Sequence, residues 1–236
     1  ARERDWNNIF DKLESYYYEA RELKYTKPFS MKDRLIFAYN HTEKVLKEPE
    51  IEKNNFILDM KTNPYLQILG DDQKEYDVSF SNKNTNQVLY QNVIKNNCWC
   101  ASTIGYYVPW EIVVTDKNTG RVAYHYDMDL SKEAVYIHFD SGALGDNLAW
   151  IGSVNQFQLK HKCKVYCFTF FNHLFRERYP NIEFIDDHTS FSTSDKFKHA
   201  YWIGWLNTNS DSCPVDVQKV PLQKVCSSIL GLDYIE

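Results

Sequence analysis

Along residues 5 to 24 the apolar positions Trp6, Ile9, Phe10, Leu13, Tyr16, Tyr17, Ala20 and Leu23 recur three and four apart. This spacing predicts an amphipathic helix. Pro28 ends it, and Ser30-Met31-Lys32-Asp33 reads as a capping box for a second helix to about Leu46. A helical hairpin over residues 1–50 needs a surface to cover its apolar stripe. Packing on this chain, an oligomer contact and the remnant of an upstream domain all satisfy that need. Lys47 to Asn55, with Pro49 and mixed charges, reads as a linker.

The period then changes from helical to two. Phe56 to Met60, Tyr65 to Leu69, Glu75 to Phe80, Gln87 to Lys95, Gly105 to Thr115 and Arg121 to Leu130 are short β-branched and aromatic runs between polar turns. Tyr76 to Tyr90 aligns 34 residues on with Trp110 to Tyr124, with Lys-Asn-Thr recurring at Lys83 and Lys117. Both copies read as strand, Asx-rich turn, strand. We therefore expect two repeated hairpins within a small antiparallel β-sandwich or barrel over residues 56–131. The alternating aromatics there read as core, and nothing catalytic stands out. Any ring left on the surface could stack on a sugar.

Val135 to Phe139 starts a third pattern: a buried strand, then the small-residue turn Asp140-Ser141-Gly142-Ala143-Leu144-Gly145-Asp146. Leu148, Ile151, Val154 and Leu159 step at helical spacing from near Asn147, and Lys164 to Phe171 is a second strand. Strand, turn, helix and strand form a βαβ crossover, so the two strands are expected to be parallel neighbours. Asn172 to Tyr179 reads as a short helix, Ile182 to Ile185 as a third strand and Tyr201 to Leu206 as a fourth. Val220 to Leu230 reads as a helix closed by Gly231. Ligands of such sheets bind at the carboxyl ends of the strands, which places Ser141 to Asp146 at the mouth of a site. The turn lacks the third glycine of a dinucleotide fingerprint and the Lys-Ser/Thr of a P-loop. By itself it is equally an ordinary tight turn with Asp146 capping the helix.

Gly142-Ala143-Leu144-Gly145-Asp146-Asn147-Leu148-Ala149-Trp150-Ile151 and Lys164-Val165-Tyr166-Cys167-Phe168-Thr169-Phe170-Phe171-Asn172 together resemble the heptosyltransferases of the GT-B class. The likeness is to the branch that includes the autotransporter protein heptosyltransferases. It extends from about Tyr76 to the C-terminus through Tyr179-Pro180-Asn181-Ile182, Tyr201-Trp202-Ile203-Gly204-Trp205 and Ile229-Leu230-Gly231-Leu232. One departure is Gly152, where many such enzymes carry proline. The resemblance implies that residues 132–236 form the Rossmann-like, acceptor-side half of a GT-B fold, with the donor-binding half missing from this sequence. It implies sugar transfer from a nucleotide-sugar such as ADP-heptose to an acceptor hydroxyl on a sugar, a lipid-linked glycan or a protein. No cofactor or metal is expected in this half.

On that reading Asp146 is the general base. Ser141, Gly142, Ala143, Gly145 and Asn147 contact substrate, and Asp140, Asn172, Asp187 and His188 form the pocket wall. His138, inside its strand, reads as core or as support for the site. The run Asp186-Asp187-His188 has metal-ligand residue types, but adjacent acids on a loop are usually solvated or cap a helix. A noncatalytic glycan- or protein-binding module built on a degenerate half of the fold is the alternative.

Composition narrows this further. A net charge of -5 argues against nonspecific nucleic-acid binding. No apolar run is long enough for a membrane-spanning helix, and no signal peptide opens the sequence, so a cytoplasmic location is expected. The chain opens on alanine, so a processed or cut N-terminus is expected. The six cysteines, with Cys98 and Cys100 too close for a C-x-x-C knuckle, are expected to be free thiols.

Overall fold

The computed structural model describes residues 55–71, 73–204 and 210–234. The helical hairpin expected over residues 1–50, most of the linker and the end of the expected fourth strand lie outside them. Residues 54–236 form one compact unit.

Its first half is antiparallel. Strands β1 (Asn55–Asp59), β2 (Tyr65–Leu69) and β5 (Cys98–Ala101) make a three-stranded sheet in the order β1-β2-β5. Strands β3 (Glu75–Asn82), β4 (Gln87–Lys95), β6 (Trp110–Asp116) and β7 (Val122–Asp127) make a four-stranded sheet in the order β4-β3-β6-β7. The strand expected from Gly105 begins only at Trp110, after Pro109, which cannot donate to a ladder.

The 34-residue repeat is built into this larger sheet down to its irregularities. Register slips between Phe80 and Ser81 and between Val114 and Thr115, leaving Leu89 and Ala123 as the extra residues of two β-bulges. Asn82 and Asp116 fold their side chains onto the turns, accepting from the amides of Asn84 and Asn118. Asn86 and Gly120 both take positive φ, 56° and 67°. These are pairs of equivalent positions. Between the copies, Tyr76 pairs with Asp116, Asn82 with Trp110, and Ser79 with its own counterpart Val113. Lys83 N–H donates to Pro109 O at 2.9 Å, and Lys117 N–H to Glu75 O at 3.0 Å. The two hairpins are thus related by a local dyad that passes between Ser79 and Val113. Tyr76, Val78, Phe80, Trp110, Ile112 and Val114 all point to one buried face.

The second half is a four-stranded sheet whose strand pairs are all parallel. It contains β8 (Ala134–Phe139), β9 (Lys164–Phe168), β10 (Ile182–Phe184) and β11 (His199–Ile203), in the order β10-β9-β8-β11. The expected neighbours 135–139, 164–170 and 182–185 do lie side by side and parallel. Helix α1 (Leu144–His161) connects β8 to β9, and short helices α2 (Asn172–Phe175) and α3 (His188–Ser192) flank β10. Helix α4 (Leu222–Ile229) follows β11, with Gly231 at φ 62° just beyond its end.

Alternation divides the β8 side chains between two cores. Val135, Ile137 and Phe139 join Trp150, Val154 and Phe157 of α1 in a cluster continuous with the antiparallel half. Tyr136, together with Tyr166, Phe168, Phe191 and Phe197, forms a smaller aromatic cluster on the other face. Fully burying such a side chain contributes roughly 1.5–3 kcal/mol. Residues 56–131 and 132–234 therefore share a core rather than each closing its own. All six cysteines are free, and only Cys98 is exposed. No described helix is long and apolar enough to cross a membrane.

Candidate active site

The chain runs outward from β8 through β9 to β10 and then crosses back past both to β11, so β8 lies between β9 and β11. Open α/β sheets hold their ligands at the carboxyl ends of the strands. The turn 140–146 lies there. Helix α1 begins at Leu144, earlier than the start near Asn147 expected from the sequence. Its N-cap is Ala143, which makes no side-chain cap bond. Asp146 is therefore not the cap but sits in the first helical turn, where the helix dipole favours a carboxylate. It is 7% exposed, and the Ser141 hydroxyl donates to its Oδ2 at 2.5 Å. Ser141 Oγ also accepts from Ala143 N–H at 3.2 Å, so the hydroxyl closes the turn while orienting the acid.

Asn147, expected to touch substrate, instead faces inward and is fully buried. Its Nδ2 donates to Ser141 O at 2.7 Å and Ala143 O at 2.8 Å, and its Oδ1 accepts from Phe170 N–H at 3.3 Å. The side chain ties the loop after β8 to the loop after β9. Its amide is committed to the scaffold. Gly142 and Gly145 leave open space: a Cβ on Gly145 would meet nothing within 4 Å, and one on Gly142 only the Phe170 ring at 3.9 Å. Exposed Leu144, Leu148 and Phe170 surround this opening with apolar surface.

The remaining expected wall residues divide by role. Asn172 is 7% exposed and acts as a clamp: Oδ1 accepts from Thr169 N–H and hydroxyl, and Nδ2 donates to Ile185 O and Asp186 Oδ1. Asp186, held below the usual carboxylate range by Asn172 and then by Arg176, pairs with that guanidinium at 2.6 Å. These groups, with Phe168, Phe170 and His173, line a cleft of ≈ 460 Å³ beside the mouth. Asp187 caps α3 through Thr189 and Ser190 N–H rather than lining the pocket. His188 packs beside this wall, its ring 4.5 Å from Phe168 and 5.2 Å from His138.

Asp140 sits at the opposite lip with its side chain 44% exposed, and His138 Nε2 approaches its Oδ1 at 3.0 Å. Gly204, at the end of β11, passes so close that a Cβ there would come 2.9 Å from Asp140 Cβ. Sequence reasoning missed Gly204 as a site residue, because only the pairing of Phe139 with Ile203 brings it there. A second cavity, of ≈ 550 Å³, lies at the amino ends of β8 and β11, far from these groups along the strands. Its Lys61 and Lys198 are paired with Asp195 and Glu133.

Among known proteins the chain is similar to autotransporter heptosyltransferases. It is 30% identical over 165 residues to Aah of Escherichia coli, a match covering 67% of this chain and 40% of that protein. It is 29% identical over 143 residues to TibC of E. coli O78:H11, covering 57% of this chain and 34% of that one. The heptosyltransferase BAHTCr of Citrobacter rodentium matches at 28% over 146 residues, again 34% of its length. The chain thus spans only about a third to two fifths of the curated relatives it matches. No family model matches it.

The crystal structure of TibC, an iron-containing dodecameric glycosyltransferase, superposes with TM-score 0.67 at 22% identity, over 77% of this chain and 46% of TibC. A second TibC structure, in complex with ADP-D-beta-D-heptose, gives 0.66 over 79% and 49%. The fold is therefore shared with part of a heptosyltransferase. Among the described residues no three His, Cys, Asp or Glu side chains gather as a metal-ligand set. Those residues do not fit an iron site.

Proposed function

We propose that this chain is the acceptor-side part of a heptosyltransferase, one that moves heptose from ADP-heptose to a hydroxyl of an autotransporter polypeptide. The carrying observation is Asp146: a mostly buried carboxylate, oriented by Ser141, in the glycine turn at the carboxyl end of β8. The similarity to autotransporter heptosyltransferases supports the choice of donor and acceptor. In this reading residues 132–236 are the first half of a GT-B fold, and a second half outside this sequence holds the nucleotide. The enzyme works in the cytoplasm and assembles as a homo-oligomer.

The chemistry asks for a base that takes the acceptor hydroxyl's proton as the anomeric C–O bond to the diphosphate breaks and the new C–O bond forms. Asp146 performs it: the acceptor hydroxyl binds beside the Ser141 hydroxyl or replaces it on Oδ2. The open space over Gly142 and Gly145 lets a polypeptide backbone approach, and Leu144, Leu148 and Phe170 contact its apolar side chains. Cationic groups that hold the leaving diphosphate belong to the second half.

The test incubates the full-length protein with ADP-heptose and an autotransporter passenger segment and weighs the product. Heptose-sized mass increments on the passenger are expected from wild type. Their absence with ADP-heptose and with other nucleotide-sugars would overturn the reading.

A further inference from the structure

Asp140 is exposed, yet the fold holds it from three sides. Below it lies His138, 5% exposed, with Nε2 3.0 Å from Asp140 Oδ1 and Nδ1 3.0 Å from the Tyr136 hydroxyl. Tyr136 is fully buried, and that desolvation pushes its phenol well above the usual range, so it keeps its proton. Nε2 faces a carboxylate oxygen that can only accept, so it is the donor of that contact. The ring is wedged by Trp202 at 4.5 Å, by Phe168 stacked at 4.9 Å and 16°, and by His188 at 5.2 Å.

Beside Asp140, Gly204 leaves room no other residue would leave, since a Cβ there would sit 3.2 Å from Oδ2 and 2.9 Å from Cβ. Along the backbone, Asp140 N–H donates to Ile203 O at 2.9 Å. A solvent-exposed aspartate needs none of this to remain soluble. The arrangement fixes the carboxyl group at the carboxyl end of β8, against the end of β11.

We propose that Asp140 is a second ligand-contacting carboxylate of this site, accepting hydrogen bonds from the hydroxyls of a sugar ring, and that His138 is its positioning residue. The choice of a sugar rests on the glycosyltransferase reading. With Oδ1 engaged by His138, Oδ2 is presented to the mouth, and hydrogen bonds from hydroxyls to a carboxylate are stronger than neutral ones. Trp202 and His188 supply flat faces beside it for the ring's C–H edges. The hydroxyls belong either to the donor's sugar or to a sugar already on the acceptor.

Asp140→Asn is the decisive variant, because asparagine Oδ1 still accepts from His138 and only the charge is lost. Saturation-transfer NMR on the full-length protein would use heptose and ADP-heptose as probes. Asp140→Asn is expected to weaken heptose binding by about tenfold or more with an unchanged melting temperature. His138→Phe should weaken it less, and His138→Gln, which keeps a donor, should restore part of it. In the full-length enzyme Asp140→Asn should raise KM while kcat is largely kept. A rise for ADP-heptose identifies the donor sugar, and a rise for heptosylated passenger identifies the acceptor. Absence of heptose binding by wild type, or binding by Asp140→Asn equal to wild type, overturns the proposal. Failure of the wild-type enzyme to transfer sugar counts against the function proposed above, while the binding comparison still decides the role of Asp140.

Discussion

The two halves of the described chain treat buried polar groups in different ways. In the four-stranded antiparallel sheet a buried side chain such as Asp116 closes its own turn, and its counterpart in the other repeat does the same. In the parallel sheet Asn147 and Asn172 each bridge segments from different loops, while Asp146 and His138 hold partners at the strand ends. A turn-closing group serves local geometry and can be duplicated. A bridging group fixes where loops stand relative to one another, which a reaction centre requires. The contrast predicts that equal chemical changes have unequal consequences in the two halves.

The largest difference is expected at Asp146. In the full-length enzyme Asp146→Asn should lower kcat by about 10²–10⁴-fold, the usual worth of a general base. It should leave stability nearly unchanged, because the isosteric amide can still accept from Ser141. Transfer at close to the wild-type rate would remove Asp146 from the chemistry. Next comes Asn147→Ala, which removes a side-chain partner from the Ser141 carbonyl and the Phe170 amide, while the Ala143 carbonyl keeps the backbone N–H of residue 147. We expect a loss of about 2–3 kcal/mol in urea unfolding of the 236-residue chain. Were the loss only a few tenths, the two loops would not depend on this bridge.

A third test uses acid. Burial raises the Glu133 carboxyl, but hydrogen bonds and charges from His199 and Lys198 outweigh it and bring the group to about 2, against 4.5 when free. A depressed carboxylate contributes stability that is complete above about pH 4.5 and is lost as pH falls toward 2. Glu133→Gln should flatten that acid limb of the unfolding profile. An unchanged slope would place the acid sensitivity elsewhere. The smallest effects belong to the repeat. Gly120→Ala, at positive φ, should cost about 1 kcal/mol, while Asn86→Gly at the equivalent position changes stability by only about a few tenths. Equal thermal shifts for the two would break their equivalence.

What the sequence revealed follows the same division. Strands β2 and β4 match their expected ends to the residue, and the repeat was legible because its turn chemistry lies within a few positions of chain. Strand β5 escaped notice, since Cys98 to Ala101 is too short to show a period. The glycine turn was legible as the segment that leaves the first parallel strand. The helix start was not, because Ala143 offers no capping side chain to mark it. Asn147 looked like a ligand contact from its place in the loop, yet its three partners come from two loops that meet only in the folded chain. Gly204 and the His138 mount depend on β11 lying beside β8 in a given register, a pairing across more than sixty residues that no local pattern encodes.

The dyad between Ser79 and Val113 has one further consequence. An excised peptide carrying only β3 and β4 would present to solution the edge that β6 now covers, and that edge is shaped to receive a copy of the peptide itself. Two such peptides would meet as a homodimer, at a population set by concentration. Within one chain, residues 91–109 hold the second copy permanently within reach, so the same pairing becomes independent of concentration. The linker thus turns an association equilibrium into a folding step, and the outer strands β4 and β7 inherit the two ends of what would otherwise be a symmetric interface.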